Sequence, residues 1–455
     1  MKNILSIINS ILVYIIILRN SFCYLIIPFK THPSQIKDTD KNLTLLLRSL
    51  KYNNIYINLE VGEPKQEIEA FLRLDGYNFY LSEKNKSDLR TISENPDIYD
   101  VGSDLSKFFD KNKSTSLEIT DKIKSTYSSN KGNVSYDYIH FFSYQKEIIK
   151  KKLPFILYNT TLGNMPGVIG LQFIRSEIEK EFNFIDKLKS NDIINYYNWM
   201  INYTSENEGN FIIGELPHII DPEHFKEEDL LMAHPFTYSA MSLKWGLRFD
   251  EITFRGNNFR PYHECYFHYE LNFIRGIEKL EKELDKYFNE SIKNGTCFKE
   301  DIKYPYGPKK FFYCNKDKYK ENIKYFPPLE FYHIELNYTF ELNYKDLFIE
   351  KNNKLILMIF FEEYGMEWDF GKPFLKKYSF VMNQDSRMIG FYDRKLNNEN
   401  FNNYVILKII LIIIGIIILL ALGIFIGKYI FKDKKNRINT IEEEYDYTSK
   451  KDEIN

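Results

Sequence analysis

The sequence predicts an all-β ectodomain of two similar lobes, followed by one transmembrane helix. Short runs rich in aromatic and β-branched residues alternate with clusters of Asn, Gly and Ser, which is typical of strands joined by turns. Strands, a helical stretch and further strands follow one another twice along the chain, which indicates two lobes. Near the C-terminus, nineteen consecutive uncharged residues at 409–427 are long enough to cross a bilayer as one helix.

Composition excludes some classes of protein. The chain has 455 residues, of which 44% are hydrophobic and 16% aromatic, so it can bury the core of a large two-lobed domain. Its net charge is -2 and its charges are interspersed, so no basic excess is available to neutralise phosphates. Nucleic acid is therefore not an expected partner.

The N-terminus has the pattern of a secretory signal. The apolar run "ILSIINSILVYIIIL" follows Met1 and Lys2, which predicts a signal peptide at 1–23 with cleavage near Cys23. A retained signal anchor is the alternative. Residues 24–50 form an N-terminal segment that is either a propeptide remnant or a first strand.

The C-terminal residues 393–455 predict the membrane topology. We expect a transmembrane helix at 405–427, followed by "KYIFKDKKNR", whose Lys and Arg residues the positive-inside rule assigns to the cytosol. An Asn-rich stalk at 393–404 would precede the helix, and a charged cytosolic tail at 428–455 would follow it. The expected localisation is that of a single-pass type I membrane protein in the secretory pathway or at the cell surface.

Acceptor sequences for N-glycosylation agree with this topology. The Asn-x-Ser/Thr pattern is modified only in the secretory lumen. It is absent from the predicted tail and occurs at Asn42, Asn85, Asn112, Asn133, Asn159, Asn202, Asn289, Asn294 and Asn337.

Three cysteines remain if the signal peptide removes Cys23. An oxidising compartment favours a bridge between Cys297 and Cys314 that would stabilise the fold by ~3 kcal/mol. Cys265 would then be a buried free thiol.

Helical periodicity is rare in the ectodomain. The clearest amphipathic stretch is 277–292, in which apolar residues recur on one face, and a second candidate is 177–190. The predicted lobes are 51–221 and 222–392.

Five stretches, in the same order along the chain, match parts of one known family. The first is "YINLEVGEPKQEIEAFLRLDGYNFYL" (56–81), and the next two are "MPGVIGLQ" (165–172) and the stretch 184–215. In the second half they are "WGLRFDEITFRGN" (245–257) and "WDFGKPFLKKYSFVMNQDSRMIGFY" (368–392). Together they resemble the pepsin-like aspartic proteases, family A1. The first resembles the strand, catalytic loop and strand that open the family's first lobe, the next two resemble later parts of that lobe, and the last two resemble a Trp-containing hairpin and the terminal Trp-hydrophobic-hydrophobic-Gly segment.

The resemblance implies two β-barrel-like lobes related by a pseudo-twofold axis, with a peptide-binding cleft between them. Members of this family hydrolyse peptides with two facing carboxylates that share one proton and hold a water molecule. A small residue and a glycine follow each catalytic Asp, because the backbone turns sharply there. The family needs no cofactor and no metal.

Neither catalytic Asp position of the family holds an acid in this sequence. Counting seven residues on from Gln66 places the first position at Arg73, and the triplet becomes Arg73-Leu74-Asp75. Counting eight residues back from Gly276 places the second at His268, and the triplet becomes His268-Tyr269-Glu270. Because Arg is never deprotonated in proteins, Arg73 cannot act as a base towards water.

Alternatives remain at this site. A displaced acid pair, Asp75 with Glu270, would require a two-residue shift in both loops, about 6 Å at strand-like rise. The other interpretation is structural, with Arg73 forming ion pairs with Asp75 or Glu270 across the lobe interface. Gly76, and Tyr127 in a hairpin at 126–141 that resembles the family's flap, are the candidate substrate-binding residues.

A metal site is not expected. His263 and Glu264 lie near His268, but no ligand set with recognisable spacing accompanies them, so a structural histidine is favoured.

The sequence therefore predicts non-catalytic binding of a peptide or protein by a membrane-anchored pepsin-like ectodomain. An active membrane-bound aspartic endopeptidase and a structural surface protein are the alternatives.

Overall fold

The computed structural model describes most of the chain between residues 24 and 393. The chain divides into two units, Met1–Tyr392 and Asp393–Asn455, and Asp393 is the one described residue of the second. The described residues are 24–31, 46–47, 50–51, 53–83, 105–125, 131–142, 148–158, 165–236, 244–259, 263–304, 307–363 and 367–393. The predicted signal peptide, transmembrane helix and tail lie outside them. Within these ranges, no helix is long and apolar enough to cross a membrane.

The described residues of the first half of the chain form ten strands. These are β1 (Leu25–Thr31), β2 (Ile55–Val61), β3 (Gln66–Arg73), β4 (Phe79–Ser82), β5 (Glu118–Ser125), β6 (Lys131–Phe142), β7 (Ile148–Tyr158), β8 (Gly167–Gly170), β9 (Asn198–Tyr203) and β10 (Glu208–Ile213).

The second half contributes fifteen more described strands, many of them short. These are β11 (Leu230–Ala233), β12 (Gly246–Phe249), β13 (Glu251–Phe254), β14 (Asn257–Asn258), β15 (His263–Phe267), β16 (Ile274–Gly276), β17 (Cys297–Tyr304), β18 (Gly307–Asn315), β19 (Leu329–His333), β20 (Tyr338–Leu342), β21 (Phe348–Lys351), β22 (Lys354–Glu362), β23 (Trp368–Phe370), β24 (Val381–Asn383) and β25 (Met388–Tyr392).

Among the helices whose bounds the structure describes, one has sixteen residues and the others are short; helical residues also occur at 46–47 and 50–51. The helices with described bounds are α1 (Glu177–Lys180), α2 (Phe184–Ser190), α3 (Pro217–Ile220), α4 (Glu278–Lys293), α5 (Lys316–Tyr319), α6 (Tyr344–Leu347) and α7 (Lys372–Lys377). Single 3₁₀ turns occupy Leu105–Lys107, Glu227–Asp229 and Ile323–Tyr325.

One large sheet joins the two halves of the chain. Its thirteen strands run in the order β11-β25-β24-β9-β10-β1-β2-β3-β8-β4-β7-β6-β5, so β24 and β25 of the second half pair beside β9 of the first. Strand β1 lies between β10 and β2, and a first strand therefore falls within the segment predicted at 24–50. An eight-stranded sheet, β12-β15-β23-β16-β22-β18-β17 with β21 beside β22, and a four-stranded sheet, β14-β13-β19-β20, complete the fold.

The two halves repeat one strand topology. In the first half β3 and β8 are parallel, β8 and β4 antiparallel, and β4 and β7 parallel, followed by β6 and β5. In the second half β15 and β23 are parallel, β23 and β16 antiparallel, and β16 and β22 parallel, followed by β18 and β17. The arrangement agrees with the predicted pepsin-like fold of two similar lobes.

Strand β3 is buried on both faces where it approaches the centre of the molecule. Ile68, Ala70 and Leu72 alternate into the main hydrophobic core, as the period-two pattern requires. Phe71 points to the opposite face, where it packs with Val168 in a separate cluster. Double burial fixes the register of β3, because a slip of one residue would exchange its two faces.

The long helix confirms the amphipathic prediction at 277–292. Leu280, Leu284 and Phe288 are buried on one face of α4, and Ile277 is buried at its N-cap position. Next to α4, Cys297 and Cys314 face each other on β17 and β18 and form the predicted disulfide. Cys265 is buried and free, also as predicted.

The second helical prediction, at 177–190, is wrong as a single helix. The stretch forms α1 and α2, separated by Glu181, Phe182 and Asn183. Asn183 has extended backbone angles and caps α2, since its side-chain oxygen accepts the amide hydrogen of Asp186. A capping Asn ends helical continuity at the residue where it starts the next helix.

Candidate functional site

The first part of the candidate site is the loop that follows β3. Strand β3 ends at Arg73, which lies opposite Gly170 in the parallel pairing with β8. The backbone carbonyl of Arg73 accepts a hydrogen bond of 2.7 Å from the amide of Leu171. The arginine that the sequence placed at the inner end of a strand is thus held there by a neighbouring strand.

Arg73 and Asp75 form a bidentate ion pair within this loop. Nε of Arg73 donates to Oδ1 of Asp75 at 3.2 Å, and Nη2 donates to Oδ2 at 2.8 Å. The Arg73 side chain is 13% exposed and that of Asp75 is 55% exposed, so the carboxylate faces solvent more than its partner does. Burial raises the pKa of Asp75, but the charge and hydrogen bond of Arg73 lower the pKa below its usual value.

The loop after β3 packs closely against β8 on one side, whereas its other side is open at Gly76. A Cβ at Gly170 would lie 2.5 Å from the carbonyl oxygen of Gly76, whereas a Cβ at Gly76 would meet no atom of the described residues within 4 Å. The amide of Gln172 donates to the same Gly76 oxygen at 2.9 Å. Gly76, a predicted binding residue, therefore has free space beside its Cα on the side away from β8.

The Asn183 side chain holds the backbone around this loop through hydrogen bonds. Its Nδ2 donates to the carbonyls of Tyr77 and Gly170, at 3.0 and 3.2 Å, and its Oδ1 accepts from the Tyr197 hydroxyl at 2.5 Å. The side chain is fully buried and has partners on both its oxygen and its nitrogen. The residue that divides the predicted helix thus joins α2 to the backbone behind Arg73.

The loop after β15 is the counterpart in the second half. The parallel register pairs Phe267 with Phe370, and the amide of His268 donates to the Phe370 carbonyl at 2.9 Å. The next position on the neighbouring strand is Gly371, where a Cβ would lie 2.5 Å from the Leu271 carbonyl oxygen. Gly371 therefore corresponds to Gly170, and Leu271 corresponds to Gly76.

This correspondence makes His268 the structural equivalent of Arg73. By the same register, Tyr269 is equivalent to Leu74, and Glu270 to Asp75. The loops 73–76 and 268–271 are together called the seam below. The two triplets aligned by counting along the sequence thus occupy equivalent places in the two halves.

His268 lies between two carboxylates. Its Nδ1 is 2.8 Å from Oε1 of Glu270, and its Nε2 is 3.3 Å from Oδ1 of Asp369 on β23. Burial alone would lower the pKa of the imidazole, but the two carboxylates raise the pKa of His268 to about 10. The ring is therefore an imidazolium cation at neutral pH.

The ion pairs continue into the second half. Arg275 on β16 has Nε 2.9 Å from Oδ2 of Asp369 and Nη1 3.3 Å from Oε2 of Glu362. Glu362 also pairs with the buried Lys309. A row of alternating charges thus extends from His268 away from the seam.

Contacts between the two halves hold the seam together. The amide of Asn53 donates to the Glu270 carbonyl at 2.7 Å, and its Nδ2 donates to the Tyr269 carbonyl at 2.9 Å. The amide of Asn272 donates to the Lys51 carbonyl at 2.9 Å. The segment just before β2 therefore lies along the loop that carries His268.

Charges from the first half also act on Glu270. Burial raises the pKa of its carboxyl, while His268 and, more weakly, Arg73 lower it, with a net shift below the usual value. Its Oε1 is bound by His268, but its Oε2 is buried and has no hydrogen-bond partner among the described residues.

The second position of each triplet carries a large side chain. Leu74 and Tyr269 are both buried in the main core, where the family resemblance predicts small residues. The Tyr269 hydroxyl has no hydrogen-bond partner among the described residues, and burial raises its pKa. The seam is therefore closed beneath the loops by apolar packing.

The structure describes some of the other predicted site residues and not others. Strands β5 and β6 form a hairpin, but β5 lies before the stretch 126–141 that predicted it, and Tyr127 lies outside the described residues. His263 bonds through Nε2 to the carbonyl of Phe259, and Glu264 accepts from the hydroxyl of Tyr266 at 2.8 Å. In the part of the chain that the structure describes, no group of three or more His, Cys, Asp or Glu is arranged to hold a metal ion.

Sequence reasoning missed Asp369, Arg275 and Asn53. A signal for the first was present, since "WDFG" has an acid where the resemblance predicts a hydrophobic residue. Arg275 stands likewise inside the apolar run "NFIRG". Nothing in the sequence near Asn53 indicated a contact with the second half.

The fold and the seam define a two-lobed, pepsin-like architecture with one equivalent loop from each half at the centre. The family model of eukaryotic aspartyl proteases matches residues 55–267, so this part of the chain is similar to a pepsin-like aspartyl protease domain. The matched region contains Arg73 and ends directly before His268. A search of curated proteins finds no match to the chain.

Proposed function

We propose that the protein is a type I membrane glycoprotein whose pepsin-like ectodomain has no catalytic aspartate pair and binds a peptide or protein without cleaving it. The observation that carries the proposal is the equivalence of Arg73 and His268 at the ends of β3 and β15. By the family resemblance these are the two positions from which the catalytic carboxylates would act.

The charges at the seam support the absence of hydrolysis. A catalytic dyad needs one carboxyl that retains its proton near the working pH, because two close carboxylates share one proton. Here the acids Asp75 and Glu270 are each bound by the base two residues earlier, and both pKa values are lowered. Neither group is prepared to hold the shared proton.

An active endopeptidase is the second candidate. The observation that favours it is the equivalence of Asp75 and Glu270, which gives the seam one acid from each half. For hydrolysis, both acids would have to leave Arg73 and His268, which costs the ion pairs that lower their pKa values.

Binding rather than a purely structural role is supported by the open side of the seam. Among the described residues, no atom lies within 4 Å of a Cβ built on Gly76, and the Asp75 carboxylate is more than half exposed. The membrane and glycoprotein parts of the proposal are supported by the uncharged run at 409–427 and by the Asn-x-Ser/Thr sequences.

The test is an incubation of the purified ectodomain with a denatured protein across acidic pH. Samples with and without a transition-state-mimicking inhibitor of aspartic proteases are compared by mass spectrometry. The matched control is the double variant Asp75→Asn with Glu270→Gln, which removes the alternative acid pair. Cleavage by a contaminating protease would persist in this variant.

No inhibitor-sensitive cleavage is the expected result. Cleavage that the inhibitor blocks and the double variant loses would overturn the proposal and establish the endopeptidase. If the ectodomain neither cleaves the protein nor binds any peptide from a digest, the result would instead favour a structural surface protein.

A further inference from the structure

A polar pocket lies where elements of both halves of the chain meet. It has a volume of about 570 Å³ and is bordered by α1 and α2 of the first half and by the turn between β24 and β25 of the second. This volume is in the range of sites for small molecules. Of the described residues that line the pocket, none belongs to the seam.

Hydrogen bonds between the two halves hold the walls of this pocket in place. Oε1 of Gln384 accepts from the Ile174 amide at 3.0 Å, and its Nε2 donates to the Ile174 carbonyl at 2.9 Å. The Asp385 carboxylate accepts from the Tyr197 amide at 2.7 Å and from Lys189 at 2.6 Å. Protein contacts therefore form the pocket in advance, which lowers the ordering cost of binding a ligand.

The charges that line the pocket leave one cation without a matching acid. Its acids already pair with lysines, in the pairs Glu177–Lys180, Asp385–Lys189 and Asp186–Lys187. Arg175 also lines the pocket and donates to Glu179 at 2.7 Å. The guanidinium of Arg387 lines the pocket too, but has no hydrogen bond or ion pair among the described residues.

The unengaged donors of the pocket fit an oxyanion. A guanidinium carries five N–H donors in a planar fork that matches two oxygens of a carboxylate or phosphate. A hydroxyl donor is also present, since Ser176 lines the pocket and makes no capping hydrogen bond with α1. The acids of the pocket, by contrast, are occupied by lysines, so a cationic ligand would meet Arg387 without a free acid.

We propose that this pocket binds a small oxyanion, whose carboxylate or phosphate group accepts hydrogen bonds from Arg387 and Ser176. The ligand supplies the negative charge that the lining lacks, and charge-assisted hydrogen bonds to a guanidinium are the stronger kind. The proposal does not depend on the proposed function, because no residue of the seam takes part.

The experiment is isothermal titration calorimetry of the purified full-length protein. Sodium succinate and sodium phosphate are titrated separately, with sodium chloride added to keep the ionic strength constant. Succinamide, the neutral diamide of succinate, is the uncharged control. The succinate and phosphate arms distinguish a carboxylate ligand from a phosphate ligand.

The test variant is Arg387→Asn, which removes the guanidinium. Arg387 has a φ of 56°, a left-handed conformation that Asn adopts more readily than Arg, so the variant is expected to fold. Arg255→Asn is the matched control. Arg255 is likewise exposed, has a φ of 55°, and packs its guanidinium over the Tyr287 ring outside the pocket.

We expect saturable binding of succinate, phosphate or both to the wild type and to Arg255→Asn, and no binding of succinamide. Binding to Arg387→Asn should be at least about tenfold weaker, which corresponds to about 1.4 kcal/mol.

No saturable binding of either anion to the wild type would overturn the proposal. Equal affinity of the wild type and Arg387→Asn would also overturn it, because Arg387 would then not hold the anion. An equal loss of affinity in both variants would show a general effect of net charge, with the same consequence.

Discussion

At the scale of single residues, each half of the seam has a base followed two residues later by an acid with which it pairs. Arg73 holds Asp75, and His268 holds Glu270 and Asp369. Removing one partner of a buried ion pair costs more stability than the intact pair contributes, because the remaining charge is left buried and unpaired. Variants at these positions should therefore change stability as well as binding.

His268 predicts a pH-dependent stability. Its folded pKa of about 10 lies above the ordinary value of 6.5, so its contribution to the free energy of unfolding is complete below about pH 6.5 and is lost as pH rises through about 10. The variant His268→Gln should be less stable than wild type near neutral pH, by about 3–5 kcal/mol. The difference should shrink towards pH 10, as measured by urea denaturation at a series of pH values.

A control substitution is available at His224, whose side chain is 74% exposed and pairs with Asp221. His224→Gln should change the free energy of unfolding by less than about 1 kcal/mol at any of these pH values. A His268→Gln difference that stays constant between pH 6 and pH 10 would show that the imidazole is not held as a cation.

At the scale of elements, the loops after β3 and β15 depend on glycines in the neighbouring strands. A methyl group at Gly170 or Gly371 would lie 2.5 Å from a loop carbonyl oxygen, whereas one at Gly76 meets no described atom within 4 Å. Gly170→Ala and Gly371→Ala should each lower the free energy of unfolding by about 1–3 kcal/mol, because backbone must move. Gly76→Ala, the matched control, should be nearly neutral in the same thermal denaturation measurement.

Equal tolerance of alanine at all three glycines would mean that the loops are not held closely against β8 and the residue after β23.

The disulfide makes a second prediction at this scale. Cys297 and Cys314 are 17 residues apart and connect β17 to β18 at the edge of the second sheet. Replacing both by Ser should lower the free energy of unfolding by about 3 kcal/mol through the larger conformational freedom of the unfolded chain. Urea denaturation measures this change in the free energy of unfolding. Cys265→Ala is the control, because it keeps the bridge intact.

Loss of stability in the Cys265 variant alone, with none in the double serine variant, would contradict this assignment of roles. Cys265 is fully enclosed, so its substitution by Ala is expected to have its own modest packing cost.

Local patterns in the sequence predicted the elements that depend on local periodicity. The apolar face of α4 and the alternation of β3 each follow from spacing along the chain, and both are present. The break at Asn183 was missed, because an Asn can cap a helix only when its own backbone is extended, and the sequence alone does not give that conformation.

The contacts between residues on different strands of the site were harder to predict from the sequence. Counting from Gln66 and Gly276 aligned Arg73 with His268, but Asp369 and Arg275 arrive on strands about 100 and 7 residues away from His268. Which base pairs with which acid is set by the parallel register of β15 with β23. No spacing rule along a single segment contains that information.

At the scale of the whole molecule, the two halves are joined by a shared sheet and by specific side chains. Trp245 of the second half donates its indole hydrogen to the Leu171 carbonyl at 2.8 Å and packs edge-on against Trp199. Both indoles are buried. The seam is thus supported by core contacts, which limits relative motion of the halves near Arg73.

The distribution of glycan acceptors gives a prediction for the whole surface. Asn112, Asn289, Asn294 and Asn337 are exposed, whereas Asn202 accepts a hydrogen bond from Ser379 and is partly buried. We expect glycans at the four exposed sites and little at Asn202 in protein from a secretory host. Enzymatic deglycosylation in isotopically labelled water, followed by peptide mass spectrometry, gives the occupancy of each site.

Occupancy at Asn202 equal to that at the exposed sites would contradict this prediction. Absence of glycans at every site would remove support for a lumenal ectodomain.

Non-catalytic binding requires that the seam has no acid pair able to share a proton. Calorimetric titration with a peptide inhibitor that has a transition-state-mimicking hydroxyl, beside the same peptide without it, tests this directly, since such mimics gain affinity only from a working dyad. We predict equal affinity for the two peptides from acidic to neutral pH. A gain of about a hundredfold or more from the hydroxyl at acidic pH would contradict the account and identify a functional aspartic protease.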